Sequence, residues 1–181
     1  VAEAVDGDGG ESPAVAVTLR VGPGTHRVGV PVEVRVEVRN VSSAQICMPG
    51  VLDGSETGTR LPRYRPSVVR GDEIVAAPPV PEDPLVGPVR PEDFRRLGPG
   101  EQFDPTDRSG PGTHLPLSTF TSYRPDRPGR YRYDLVVDTT GSEDLWMGRF
   151  GQEPHRASVV SLLHQVPEVV LTATVDVDVE P

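Results

Sequence analysis

Acyl-transfer chemistry of the hydrolase type needs a serine in a Gly-x-Ser-x-Gly turn between a strand and a helix. No such pentapeptide occurs in the chain. Zinc needs histidines or cysteines at close spacing, and His26, His114, His155 and His164 form no pair at hairpin or helical spacing. A blue-copper set of two histidines, a cysteine and a methionine also fails, because Cys47 and Met48 have no neighbouring histidine. With 27 acidic residues, a carboxylate pair at glycosidase spacing is expected by chance and diagnoses nothing. Asp6-Gly7-Asp8 and Asp104-Pro105-Thr106-Asp107 offer paired carboxylates without the spaced ligands of a calcium loop. Calcium gathered by distant loop ends is the one ion the composition leaves open, and no other cofactor is expected. Gly22-Pro23-Gly24 puts a proline where a phosphate loop would want a donor amide. No residue is assigned a catalytic role, and the chain is expected not to be an enzyme.

Several residues keep a bland reading beside a sharper one. Gly22-Pro23-Gly24-Thr25-His26 recurs as Gly110-Pro111-Gly112-Thr113-His114, and reads as two similar turns in a Gly- and Pro-rich chain. Cys47 reads as a small buried apolar residue. Trp146, with Met147 and Phe150, reads as a cap on one end of a core or as an exposed anchor for a partner. Tyr64, Phe94, Trp146 and Phe150 together make the candidate interaction region.

Charge narrows the partners. The formal net charge is −9, and all 18 basic residues are arginine. Nucleic acid needs a basic footprint, so it is excluded as a partner. The arginine groups at Arg60, Arg63 and Arg65 and at Arg127, Arg130 and Arg132 have acids nearby and read as solvated faces. No apolar run approaches the ~18 residues of a spanning helix. Val1 to Pro13 is acidic and Gly-rich, and resembles the spacer that follows an export signal. A flexible segment is expected over residues 1–13, followed by a single domain over 14–181 in an exported or secreted protein.

The elements that must carry any site are strands. Val occurs 29 times against 12 Leu and 2 Ile, with 19 Gly and 21 Pro. Valine suits a pleated, half-buried surface, and Gly and Pro punctuate it. Period-two alternation predicts a strand over Val15–Val21, a long one over Val28–Val38 and a short one around Ala44–Met48. It predicts further strands over Leu115–Tyr123, Tyr131–Val137 and Val169–Val179. Residues 155–164 predict a short helix with Ala157, Val160, Leu163 and His164 on one face. Twelve prolines fall between Pro49 and Gly112, so 49–112 is expected as a loop-rich insertion with one or two short edge strands.

About seven antiparallel strands of this kind predict an all-β sandwich. Pro128-Gly129-Arg130-Tyr131 has the form of a tyrosine corner, in which a tyrosine near the start of the sixth strand bonds to upstream backbone. Together with Asn40-Val41-Ser42-Ser43 and Leu97-Gly98-Pro99-Gly100-Glu101, it resembles the skeleton of bacterial immunoglobulin-like accessory domains, shared by proteinase-inhibitor-like sandwiches. The resemblance implies an immunoglobulin-like fold with Tyr131 as its corner. It carries no inhibitory or catalytic residue onto this chain. The expectation is a non-catalytic module that binds a protein or a cell-envelope polymer; a protease inhibitor or a structural assembly subunit is the alternative. The sequence leaves the oligomeric state undetermined.

Overall fold

Alternating valines form sheet where one face can be buried, and the computed structural model, which describes residues 13–81, 85–147 and 155–181, does this in ten strands. They are β1 (Val15–Val21), β2 (His26–Arg27), β3 (Val34–Asn40), β4 (Ile46–Pro49), β5 (Arg63–Arg70), β6 (Glu73–Ala76), β7 (Phe94–Leu97), β8 (Gln102–Phe103), β9 (Gly129–Asp138) and β10 (Val170–Glu180). Three short helices join them: α1 (Ser118–Ser122), α2 (Glu143–Met147) and α3 (Arg156–Leu163). The class is all-β.

One sheet has the order β1-β3-β8, a second β2-β10-β9-β5-β6, and β4 pairs with β7 alone. All pairs are antiparallel except β2 with β10. Register places like with like: Val17 opposes Val38, Leu19 opposes Val36, and Leu135 lies between Pro66 and Ala173. The inward rows of both larger sheets join one apolar cluster, with Val15, Val17, Val36 and Val38 from one and Tyr64, Val68, Tyr131, Tyr133, Leu135 and Val137 from the other. Each such side chain contributes roughly 1.5–3 kcal/mol on burial. A second cluster of Cys47, Leu52, Val89, Phe94, Met147, Val159 and Leu162 seats α2 and α3 on the β4–β7 pair.

Tyr131 lies near the start of β9, fully buried, and its hydroxyl donates to the Arg127 carbonyl at 2.8 Å. Tyr133, two residues on, buries a hydroxyl that has no partner among the described residues.

Three expectations need correction. Residues 49–112 are not a loop-rich insertion carrying edge strands alone: β5 is eight residues long and lies inside the five-stranded sheet. The Tyr64 N–H turns away from β9 to the Ser55 carbonyl. Along a strand alternate N–H groups share a side, so Pro66 lacks its donor on that same side. There β6 pairs only with Val68–Arg70, and no ladder bond is lost. The long strand over Val28–Val38 is only β3. Gly29 turns at φ +77°, and the Val28 N–H bonds the Glu180 carbonyl of the other sheet. This stretch is where the chain crosses between sheets.

The strand over Leu115–Tyr123 is helix α1 instead. The Glu56 carboxylate accepts from the Ser118 N–H and hydroxyl, both at 2.8 Å, and from the Thr119 N–H at 2.7 Å. It thereby satisfies first-turn donors that a helix start leaves free. The partner is 62 residues away, so local alternation cannot reveal it. Helix α3 forms as expected, yet it buries Val159 and Leu162, while Ala157 is exposed. The expected flexible segment falls outside the described residues, except for Pro13.

Two phenylalanine substitutions separate the tyrosines. Tyr131→Phe removes a hydrogen bond and keeps the ring, so about 1 kcal/mol of unfolding free energy is expected to be lost. Tyr133→Phe removes a buried hydroxyl without a partner among the described residues, and no loss or a small gain is expected. Urea unfolding of both variants checks this; a larger loss at Tyr133 than at Tyr131 contradicts it.

Candidate binding groove

A groove of about 240 Å³ opens where β9 ends, between the start of α2 and the chain that leads from α3 into β10. Thr139, Gly141, Ser142, Glu143 and Trp146 form one wall, and Leu163, His164, Val166 and Glu168 form the other.

The walls are held by a few polar contacts. Asp138, the last residue of β9, accepts from the Thr140 N–H at 2.9 Å and hydroxyl at 2.6 Å, and pairs with Arg63 of β5 at 2.9 Å. The Thr139 hydroxyl donates to the Pro167 carbonyl at 2.6 Å and accepts from the Val169 N–H at 2.9 Å. One side chain thus clamps both ends of the β9–β10 connection. Gly141 has φ +159°, and a Cβ there would run into Leu61 and Leu145, so the close approach requires glycine. The Ser142 carbonyl then accepts from the Leu145 N–H and opens α2. Arg156 of α3 reaches Glu143 of α2 at 2.7 Å. Beneath, Leu163 and Val166 pack on the second apolar cluster.

The charges are unevenly committed. Glu143 has Arg156 and Asp138 has Arg63. Glu168 is exposed and has no hydrogen-bond or ion-pair partner among the described residues. Burial pushes the Asp138 carboxyl up, but the bonds from Thr140 and Arg63 outweigh it and hold the group below the usual carboxylate range.

The expected interaction residues do not share this surface. Tyr64 is fully buried, its hydroxyl donating to the Pro49 carbonyl at 2.9 Å, and Phe94 is buried in the second cluster. Neither can meet a partner, because β5 and β7 turn them inward to fill the core. Trp146 alone lines the groove, 5% exposed. Phe150 lies outside the described residues. Sequence reasoning missed Thr139, His164 and Glu168; the signal available was polar residues crowding the ends of two apolar strands.

Elsewhere, polar residues serve the fold. Buried Asp93 accepts from the Thr113 N–H and hydroxyl and the Arg90 N–H, while His114 meets the Asp93 main-chain oxygen at 3.0 Å instead of its carboxylate. The result is a loop clamp, not an acid–base dyad. His26 lies in β2 against Val179, so the two similar turns lead to different environments. Cys47 is buried, and burial raises its thiol above the ordinary range, which suits a packing role over a nucleophile. Asp104 and Asp107 spend oxygens on Thr106 and Ser109. Among the described residues no three His, Cys, Asp or Glu side chains group as metal ligands, and no helix is long and apolar enough to cross a membrane. A second hollow, of about 330 Å³, lies beside β6 and is lined by Ala76, Ala77, Pro79, Ser118, Thr119, Ser122 and Tyr123. Its described lining carries no ionised group.

The Asp138 anchor has a pH signature. Its folded-state pKa lies below that of the unfolded chain, so it stabilises the fold above the unfolded value of about 3.9. That contribution is lost as pH falls through the folded value. Asp138→Asn is expected to cost about 1–2 kcal/mol at neutral pH and to flatten the loss of stability below about pH 4. Urea midpoints measured across the acid range check this; parallel profiles for the two proteins would contradict it.

No protein-family model, curated protein or solved structure matches this chain.

Proposed function

We propose that the chain is an immunoglobulin-like β-sandwich module of an exported or surface-assembled bacterial protein, and that it binds a protein or a cell-envelope polymer without catalysing a reaction. The strand order supports the fold reading. An immunoglobulin-type sandwich sets a first, second and fifth strand against a sheet built from the third, sixth and seventh. β1-β3-β8 faces β10-β9-β5 in the same relation, with β6 and β2 as added edges and β4–β7 as an extra pair. The bond from Tyr131 to the Arg127 carbonyl has the position and direction of the tyrosine corner.

The binding reading rests on one observation, the groove at the end of β9. It is built on the connection between two long core strands, and binding residues are disproportionately carried by loops on a rigid scaffold. Thr139 and Asp138 hold its walls, which lowers the ordering cost of binding. Residues 49–112 give the inhibitor alternative less support, since Val51, Leu52, Leu61, Val89 and Phe94 are all buried.

Ser142 is exposed at the groove and its side chain makes no hydrogen bond among the described residues, so Ser142→Tyr fills the groove while sparing the fold. Immobilised wild-type protein is expected to retain a defined partner from the cell-envelope fraction, and Ser142→Tyr to retain about a tenth as much or less. Equal retention by both, or none by the wild type, would sink the reading. Turnover of an envelope substrate by the purified protein would overturn its non-catalytic part.

A further inference from the structure

We propose that the groove receives a single basic side chain, arginine or lysine, presented by a protein partner, with Glu168 as its counter-charge and Trp146, Leu163 and Val166 as the wall for its stem. The inference rests on the binding reading above and names the ligand.

Size limits the ligand first. Small-molecule pockets run from roughly 300 to 1,000 Å³, and this groove holds about 240 Å³. It suits one side chain of a larger partner. Charge then selects the kind. Among the described residues the charged lining is Glu143 and Glu168, with His164 as the remaining titratable group. Arg156 neutralises Glu143, and the nearby Asp138 is held by Arg63. Among the described residues both neighbouring cations are therefore engaged, and Glu168 is left without a counter-charge. The chain as a whole carries −9, which steers a cationic segment toward it.

The walls match the same ligand. Arginine and lysine bury an aliphatic stem on apolar surface while the charged head stays near water or a carboxylate. Trp146, Leu163 and Val166 supply apolar lining, and Glu168 supplies an exposed carboxylate. A neutral sugar or an acidic peptide would leave Glu168 unmatched or repelled. Glu168 makes no hydrogen bond or ion pair among the described residues, so its charge is not spent on stability.

Trp146 is the only tryptophan in the chain, which makes its fluorescence a reporter at the groove. The probes are N-acetyl-arginine amide, N-acetyl-lysine amide and N-acetyl-citrulline amide, the last being the uncharged relative of arginine. The expected result is a saturable emission change with the two cations, about threefold weaker with citrulline and weakened by added salt. Glu168→Gln, with an unchanged thermal midpoint, is expected to weaken arginine-amide binding about threefold. Equal binding of the citrulline probe, unaltered binding by Glu168→Gln, or no saturable response to either cation overturns the inference. If the cations fail while partner retention still depends on Ser142, the ligand assignment falls and the module stands. If retention does not depend on Ser142, both fall.

Discussion

The inward stripe of β9 is the constraint on which the rest depends. Tyr131, Tyr133, Leu135 and Val137 are fully buried along one face of a ten-residue strand that is paired on both sides, with β10 over its whole length and with β5 over most of it. Period-two geometry means that a one-residue slip would turn all four side chains to solvent. At roughly 1.5–3 kcal/mol for each side chain exposed, burial therefore fixes its register. The ends of β9 are fixed by different chemistry: a tyrosine hydroxyl on upstream backbone at the start, and the Asp138–Thr140–Arg63 contacts at the finish. The groove begins at the next residue, so its position is inherited from the core.

This division explains what could be read in the sequence. β1, β9 and β10 show clean alternation because each buries one face and wets the other, and they were legible. β5 was not, because its outward positions are Arg63 and Arg65 and one of its inward positions is Pro66, a residue that argues against an interior strand until its unpaired side is known. α1 was misread because Leu117, Thr119 and Thr121 alternate by accident, while its start is stabilised by a carboxylate far away in sequence. The crossing at Gly29 was hidden for a similar reason: valines continue on both sides of a turn that only the positive φ reveals.

The groove was less legible than the fold. Trp146, Tyr64 and Phe94 stand out in the sequence by residue type alone, yet among them only Trp146 lines the concavity. Aromatic residues serve a core and an interface equally well, so residue type alone cannot separate the two. What defines the wall opposite is the path of the chain from His164 to Glu168, and Thr139 sets that path through bonds to Pro167 and Val169. These contacts span some thirty positions and leave no periodic trace.

The second apolar cluster gives this end of the molecule a stability partly separate from the main core. Met147 from α2 and Val159 and Leu162 from α3 pack with Cys47, Leu52, Val89 and Phe94, and the Cys47 N–H bonds the Gln165 carbonyl. Two helices and the β4–β7 pair therefore hold the groove's floor, while Asp138 and Thr139 hold its rim. A surface built in this way can vary its exposed residues at small cost, because substitutions away from packing and buried networks change stability little. Ser142, His164 and Glu168 are exposed on this frame, and they are positions that can change without disturbing the register that β9 imposes.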